Sequence, residues 1–122
     1  MVVILTTGLV ILTTFSLKSS RLGSLRSQAV KYAAEGMEYV RQKRDESWTE
    51  FKALDGTWCV GDGDVWVKSI ICLHNVNNFF SRDVEFAWDD TNQRMKATVT
   101  VHWTEGDNYY ETYLDSYFTE PQ

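Results

Sequence analysis

Cys59 and Cys72 stand 13 positions apart and are the only cysteines in the 122 residues. No CxxC pair accompanies them, and His74 and His102 do not complete a zinc spacing with them. Two readings compete: a disulfide in an exported protein, or two unrelated buried thiols. Asp62-Gly63-Asp64, with Asp55 nearby in sequence, is the other group able to hold an ion. Calcium takes about six or more oxygens at defined offsets, so Asp62 and Asp64 are a weak calcium candidate and a solvated turn is the plainer reading. Trp58, Trp66, Trp88 and Trp103 could present a sugar-binding surface. Trp88 and Trp103 fall on the apolar parity of strand-like segments and read as core, whereas Trp58 and Trp66 stay open. There is no phosphate loop, metalloprotease signature or nucleophile elbow, so neither enzymatic activity nor a cofactor is expected.

The elements that must position these residues divide the chain in two. Residues 1–54 hold 8 Lys/Arg and 5 Asp/Glu, a net of +3, while residues 55–122 hold 4 and 12, a net of −8. An acidic second half lacks the clustered cations that displace counterions from nucleic acid, so no nucleic-acid partner is expected. Aromatics number 17 and the only proline is Pro121, which excludes a disordered chain. The length suits one modest domain.

Positions 1–17 carry no charge before Lys18. As a helix they span about 25 Å against a bilayer core of about 30 Å. Thr6, Thr7, Thr13 and Thr14 dilute the apolar run, and neither a basic start nor a good cleavage site marks a signal peptide. The stretch reads as a retained hydrophobic helix, one that is membrane-directed. That implies an oxidising compartment and favours the Cys59–Cys72 disulfide, whose loop is worth about 3 kcal/mol.

From Leu22 the apolar positions Leu25, Ala29, Ala33, Gly36 and Val40 recur at steps of three and four, widened by Tyr32 and Met37. The opposite face carries Arg26, Lys31, Glu35, Glu38, Gln42 and Asp45, with Lys31/Glu35 and Arg41/Asp45 at pairing distance. No proline interrupts residues 1–54, so one helix is expected until Asp55-Gly56. Val60 to Asp64 reads as a loop, and Val65–Val67 and Ile70–Leu73 as strand material. Val84, Phe86 and Trp88 alternate with polar or small residues, as do Met95, Ala97, Val99, Val101 and Trp103, and Tyr110 to Phe118 returns. The predicted fold is α+β: a long N-terminal helix packed on a C-terminal antiparallel β-meander. Its divisions are 1–21 hydrophobic half-helix, 22–54 amphipathic half-helix and 55–122 sheet domain.

At this point the residues reach a known family. Ala33-Ala34-Glu35-Gly36-Met37-Glu38-Tyr39-Val40-Arg41-Gln42-Lys43-Arg44-Asp45-Glu46-Ser47-Trp48 resembles a recurring segment of bacterial type IV pilin-like proteins. Ser16-Leu17-Lys18-Ser19-Ser20 is similar to the point where the pilin hydrophobic segment gives way to the amphipathic half-helix. Val99 to Gly106, followed by a Tyr-rich strand, is similar to the closing hairpin of that group. The likeness is specific over about 25 residues and diffuse elsewhere. Pilins begin with a cleaved leader and an acid near the mature N-terminus, whereas no acid precedes Glu35 and Leu5 is apolar. Met1 is therefore expected to lie several residues inside the mature helix; the alternative is a mature start at Met1 without the acid. A methylated residue found upstream of Met1 by mass spectrometry would exclude that alternative.

The resemblance implies a filament subunit on the cell surface, held in the cytoplasmic membrane before assembly. Its partners would be identical subunits in a helical polymer and the pilus assembly machinery. The residues expected to pack the filament core are Val2, Val3, Ile4, Leu5, Gly8, Leu9, Val10, Ile11, Leu12, Phe15 and Leu17. Gly8, after two threonines, is a weak point where the filament form is expected to lose helix. The competing expectation is a membrane-anchored binding or adhesion module.

Overall fold

A computed structural model describes the backbone of residues 2–121 and the side chains of residues 21–121. Its first element is the helix α1 (Val2–Glu46), followed by the short α2 (Trp48–Lys52). The uninterrupted helix expected as far as residue 54 breaks at Ser47. That residue is extended at φ −161°, and its hydroxyl accepts from the Glu50 amide, capping a new helix. A serine side chain competes for backbone donors in this way and costs a long helix its continuity. The break turns Phe51 beneath the sheet, edge-on to Phe86 and Phe118.

The sheet has five antiparallel strands rather than the three of the expected meander. They are β1 (Gly56–Gly61), β2 (Val65–Lys68), β3 (Ser81–Asp89), β4 (Arg94–Glu105) and β5 (Asn108–Phe118), in the order β2-β1-β3-β4-β5. Val60 and Gly61 belong to β1 and the loop is the tight Asp62–Asp64 turn, whereas Ile70–Leu73 is not a strand at all. Glycines at 56, 61 and 63 disguise β1 and its turn, because glycine weakens a strand pattern without forbidding it. The fold is α+β, a long helix on an antiparallel sheet.

Ala29, Ala33, Met37 and Val40 of α1 are buried against Val84, Phe86, Met95, Ala97, Val99, Val101 and Trp103. Gly36 sets the distance between the layers. A Cβ there would lie 2.9 Å from Val99 Cγ1 and 3.0 Å from Arg82 Cδ, so only glycine allows this approach. Arg21 bridges to Glu105, Arg26 lies over the Tyr110 ring and Arg44 over Phe118, so α1 runs along β5. Among the described residues no helix is long and apolar enough to cross a membrane.

Candidate assembly surface

Arg82 locks the helix to the sheet. It occupies the inward parity of β3 with Val84 and Phe86, and it is 0 % exposed. An ionised side chain persists there only because its donors are used. Nε donates to Val60 O at 2.7 Å and Nη2 to Gly61 O at 3.0 Å. Nη1 donates to Tyr32 O at 2.9 Å and to Glu35 Oε1 at 3.0 Å. The guanidinium also sits 5.3 Å from the centre of the Tyr39 ring. Burial and the Glu35 carboxylate raise the Tyr39 hydroxyl above its ordinary range. Glu35 is thus committed to Arg82 rather than to Lys31, and Arg41 pairs with Glu38, not Asp45. The helix spacing permits either partner; the tertiary contact selects.

Arg82 also anchors the loop that follows β2. Its amide donates to Asn75 Oδ1 at 2.8 Å, and Asn75 Nδ2 donates to Arg82 O at 2.9 Å, so the asparagine side chain mimics a strand. The His74 amide donates to Ser81 Oγ, and the Asn77 amide to Asp62 Oδ2 at 2.8 Å. Cys59 and Cys72 are joined in a disulfide, which lays residues 71–73 across the outer side of β1. Held at so many points, the loop presents Ile70 at 86 %, Ile71 at 68 % and Leu73 at 71 % exposure. Val67, the cross-strand partner of Cys59, and Val65 continue the patch on β2 and are also more than half exposed. Five exposed aliphatic side chains thus fall within nine residues of chain, on a segment tied to β1 by the disulfide and by strand pairing.

The remaining candidates separate. Val2, Val3, Ile4, Leu5, Gly8, Leu9, Val10, Ile11, Leu12, Phe15 and Leu17 lie on the first turns of α1, and their side chains fall outside the described residues. The α1 backbone is helical through Gly8 in the single chain. Asp55 is not beside Asp62 and Asp64: the six residues of β1 separate them, and Asp55 pairs with Lys68 at 3.1 Å. Asp62 caps the loop, and the Asp64 carboxylate accepts from the Trp66 indole. Among the described residues no three His, Cys, Asp or Glu side chains converge on a metal position.

Trp103 is core, stacked on Tyr110, while Trp88 is half-buried against Trp48. Trp58 and Trp66 line a hollow of about 180 Å³ with Lys43, Glu46, Glu50, Phe51 and Leu54. Lys43 lies over the Trp66 ring and Lys68 over Trp58. Sequence reasoning missed Arg82 and the aliphatic patch. The signal for Arg82 is its even parity with Val84, Phe86 and Trp88, two positions before the alternation at Val84. Compared with protein-family models, curated proteins and solved structures, the chain matches none of them.

Proposed function

We propose that this chain is the structural subunit of a type IV pilus-like extracellular filament. The observation that carries the reading is the division of α1. Its second half is fixed to the sheet by Gly36 and Arg82, and residues 2–17 carry no charged side chain and many aliphatic ones. Burying such a stretch in a bundle of identical helices keeps it from water once it has left the membrane, and so holds the polymer together. The type IV pilin-like resemblance of residues 33–48 supports the same reading. Enzymatic activity forms no part of it.

A membrane-anchored binding module is the second reading, favoured by the pinned aliphatic patch at Ile70, Ile71 and Leu73. Electron microscopy of material sheared from native cells, labelled with an antibody to residues 55–122, separates the two. Continuous label along thin filaments is the expected result for a main subunit. Label confined to tips makes it a minor subunit, and the absence of any labelled filament replaces this reading with the anchored module.

A further inference from the structure

β5 is the last strand of the sheet, and its outer edge has no partner among the described residues. An edge of 11 residues is long, and proteins ordinarily blunt such edges with lysine, proline or a bulge. β5 has none of the three. Residues 108–118 contain no Lys, Arg or Pro, and the pairing with β4 runs without interruption from Glu105↔Asn108 to Met95↔Phe118.

The polarity of that edge follows from the hairpin. The two-residue loop Gly106-Asp107, with Gly106 at φ +62°, closes on the pair Glu105↔Asn108. Hydrogen-bonded and non-hydrogen-bonded pairs alternate from there. Tyr109, Glu111, Tyr113, Asp115 and Tyr117 fall in the second class, so their amides and carbonyls face away from β4. The same five side chains point to the sheet face opposite α1, giving an aromatic, acid, aromatic, acid, aromatic order with a step of about 7 Å. Tyr109 and Tyr113 are more than half exposed and Tyr117 nearly so. Asp115 accepts from the neutral Thr98 hydroxyl, and Glu111 from the Tyr109 hydroxyl, so neither carboxylate is spent on a cation. On the α1 side of the edge, between Arg26 over Tyr110 and Arg44 over Phe118, Leu114 is left 38 % exposed.

We infer that the β5 edge accepts an added strand from a partner whose extended segment carries Lys or Arg at alternate positions and apolar residues between them. The backbone groups of residues 109–117 supply the ladder. Glu111 and Asp115 meet the cations, the Tyr109 and Tyr113 rings flank them, and Leu114 meets the apolar side, while the Tyr117 ring already carries the Arg94 guanidinium at 3.9 Å. A second copy of β5 is a poor occupant, because it brings two carboxylates and no cation to the same edge. This inference does not depend on the filament reading.

The test is fluorescence polarisation with the full chain in non-ionic detergent. The probes are labelled, blocked heptapeptides, Lys-Val-Lys-Val-Lys-Val-Lys and its Glu-Val counterpart. The basic peptide is expected to bind at least about tenfold more tightly than the acidic one, and less tightly as salt rises. Tyr113→Pro removes one outward amide without touching the β4 ladder and is expected to abolish binding. Glu111→Lys with Asp115→Lys leaves the backbone intact and is expected to reverse the preference. Equal binding of the basic peptide by wild type and a folded Tyr113→Pro would overturn strand addition. Binding of neither peptide would overturn the inference, as would self-association through this edge that Tyr113→Pro removes.

Discussion

Replacing Arg82 by Met tests whether the buried guanidinium is what fastens the helix to the sheet. Methionine keeps most of the side-chain volume, so the cavity contribution is small and the loss is mainly of hydrogen bonds. Four are lost, three of them to the main-chain carbonyls of Val60, Gly61 and Tyr32. A hydrogen bond to a charged group contributes about 1.5–3 kcal/mol, but these four share one side chain and do not add. Tyr32 O, as a helix carbonyl, keeps its partner four residues on, and Glu35, at 35 % exposure, rehydrates. Relief of burying the charge offsets part of the rest. The net is about 3 kcal/mol, a large share of the roughly 5–15 kcal/mol that holds a domain folded. With a slope of about 1.5 kcal/mol per molar urea, the midpoint should fall by about 2 M. Urea titration of the full chain in non-ionic detergent, followed by tryptophan emission, reads this directly. Arg41→Met, which breaks only the exposed pair with Glu38, should move the midpoint by less than about 0.5 M. If Arg82→Met shifts no more than Arg41→Met does, the anchoring role is wrong.

Gly36→Ala gains helix propensity but drives a Cβ into Val99 and Arg82, and should cost about 1 kcal/mol net; Gly36→Val overpacks the contact further and should cost about 3 kcal/mol in the same titration. Replacing Cys59 and Cys72 together by Ser should cost about 3 kcal/mol, and hydrogen exchange at residues 69–75 should quicken because the bridge fixes that loop. Asp83 lies half-buried on the outer face with one carboxylate oxygen unpartnered, and burial raises its pKa above 3.8 despite His102 nearby. Its stabilising contribution is therefore complete below pH 3.8 and is lost as pH rises through the folded-state value. Asp83→Asn should flatten that part of a melting-temperature profile and be the more stable protein at neutral pH; an unchanged profile would show that the carboxylate is solvated.

The sequence alone determined what periodicity and composition can carry. The stripe from Leu22 to Val40 announced an amphipathic helix, and strict alternation from Met95 to Trp103 announced β4 and named its buried face. With only two cysteines in the chain, one pairing is possible, and the structure forms it between Cys59 and Cys72. The stripe and the alternation are local signals, repeated over many residues, and no distant contact is needed to read them.

Contacts between residues far apart in the chain settle the rest. Lys31 and Arg82 are both chemically able to hold Glu35, and the spacing on the helix favoured Lys31. Burial of Arg82 reversed the choice, because a desolvated guanidinium must find acceptors and a solvated lysine need not. Ile70, Ile71 and Leu73 read as strand because four apolar residues in a row carry no period that separates a buried strand from a displayed one. The disulfide, the Asn75–Arg82 exchange and the Asp62 cap hold them outside the sheet and expose them. Likewise the sequence predicted β5 but not its place at the sheet edge. Strand order is set by which faces α1 covers and by the β1–β3 pairing, so the free edge and its row of tyrosines and acids emerge only in three dimensions.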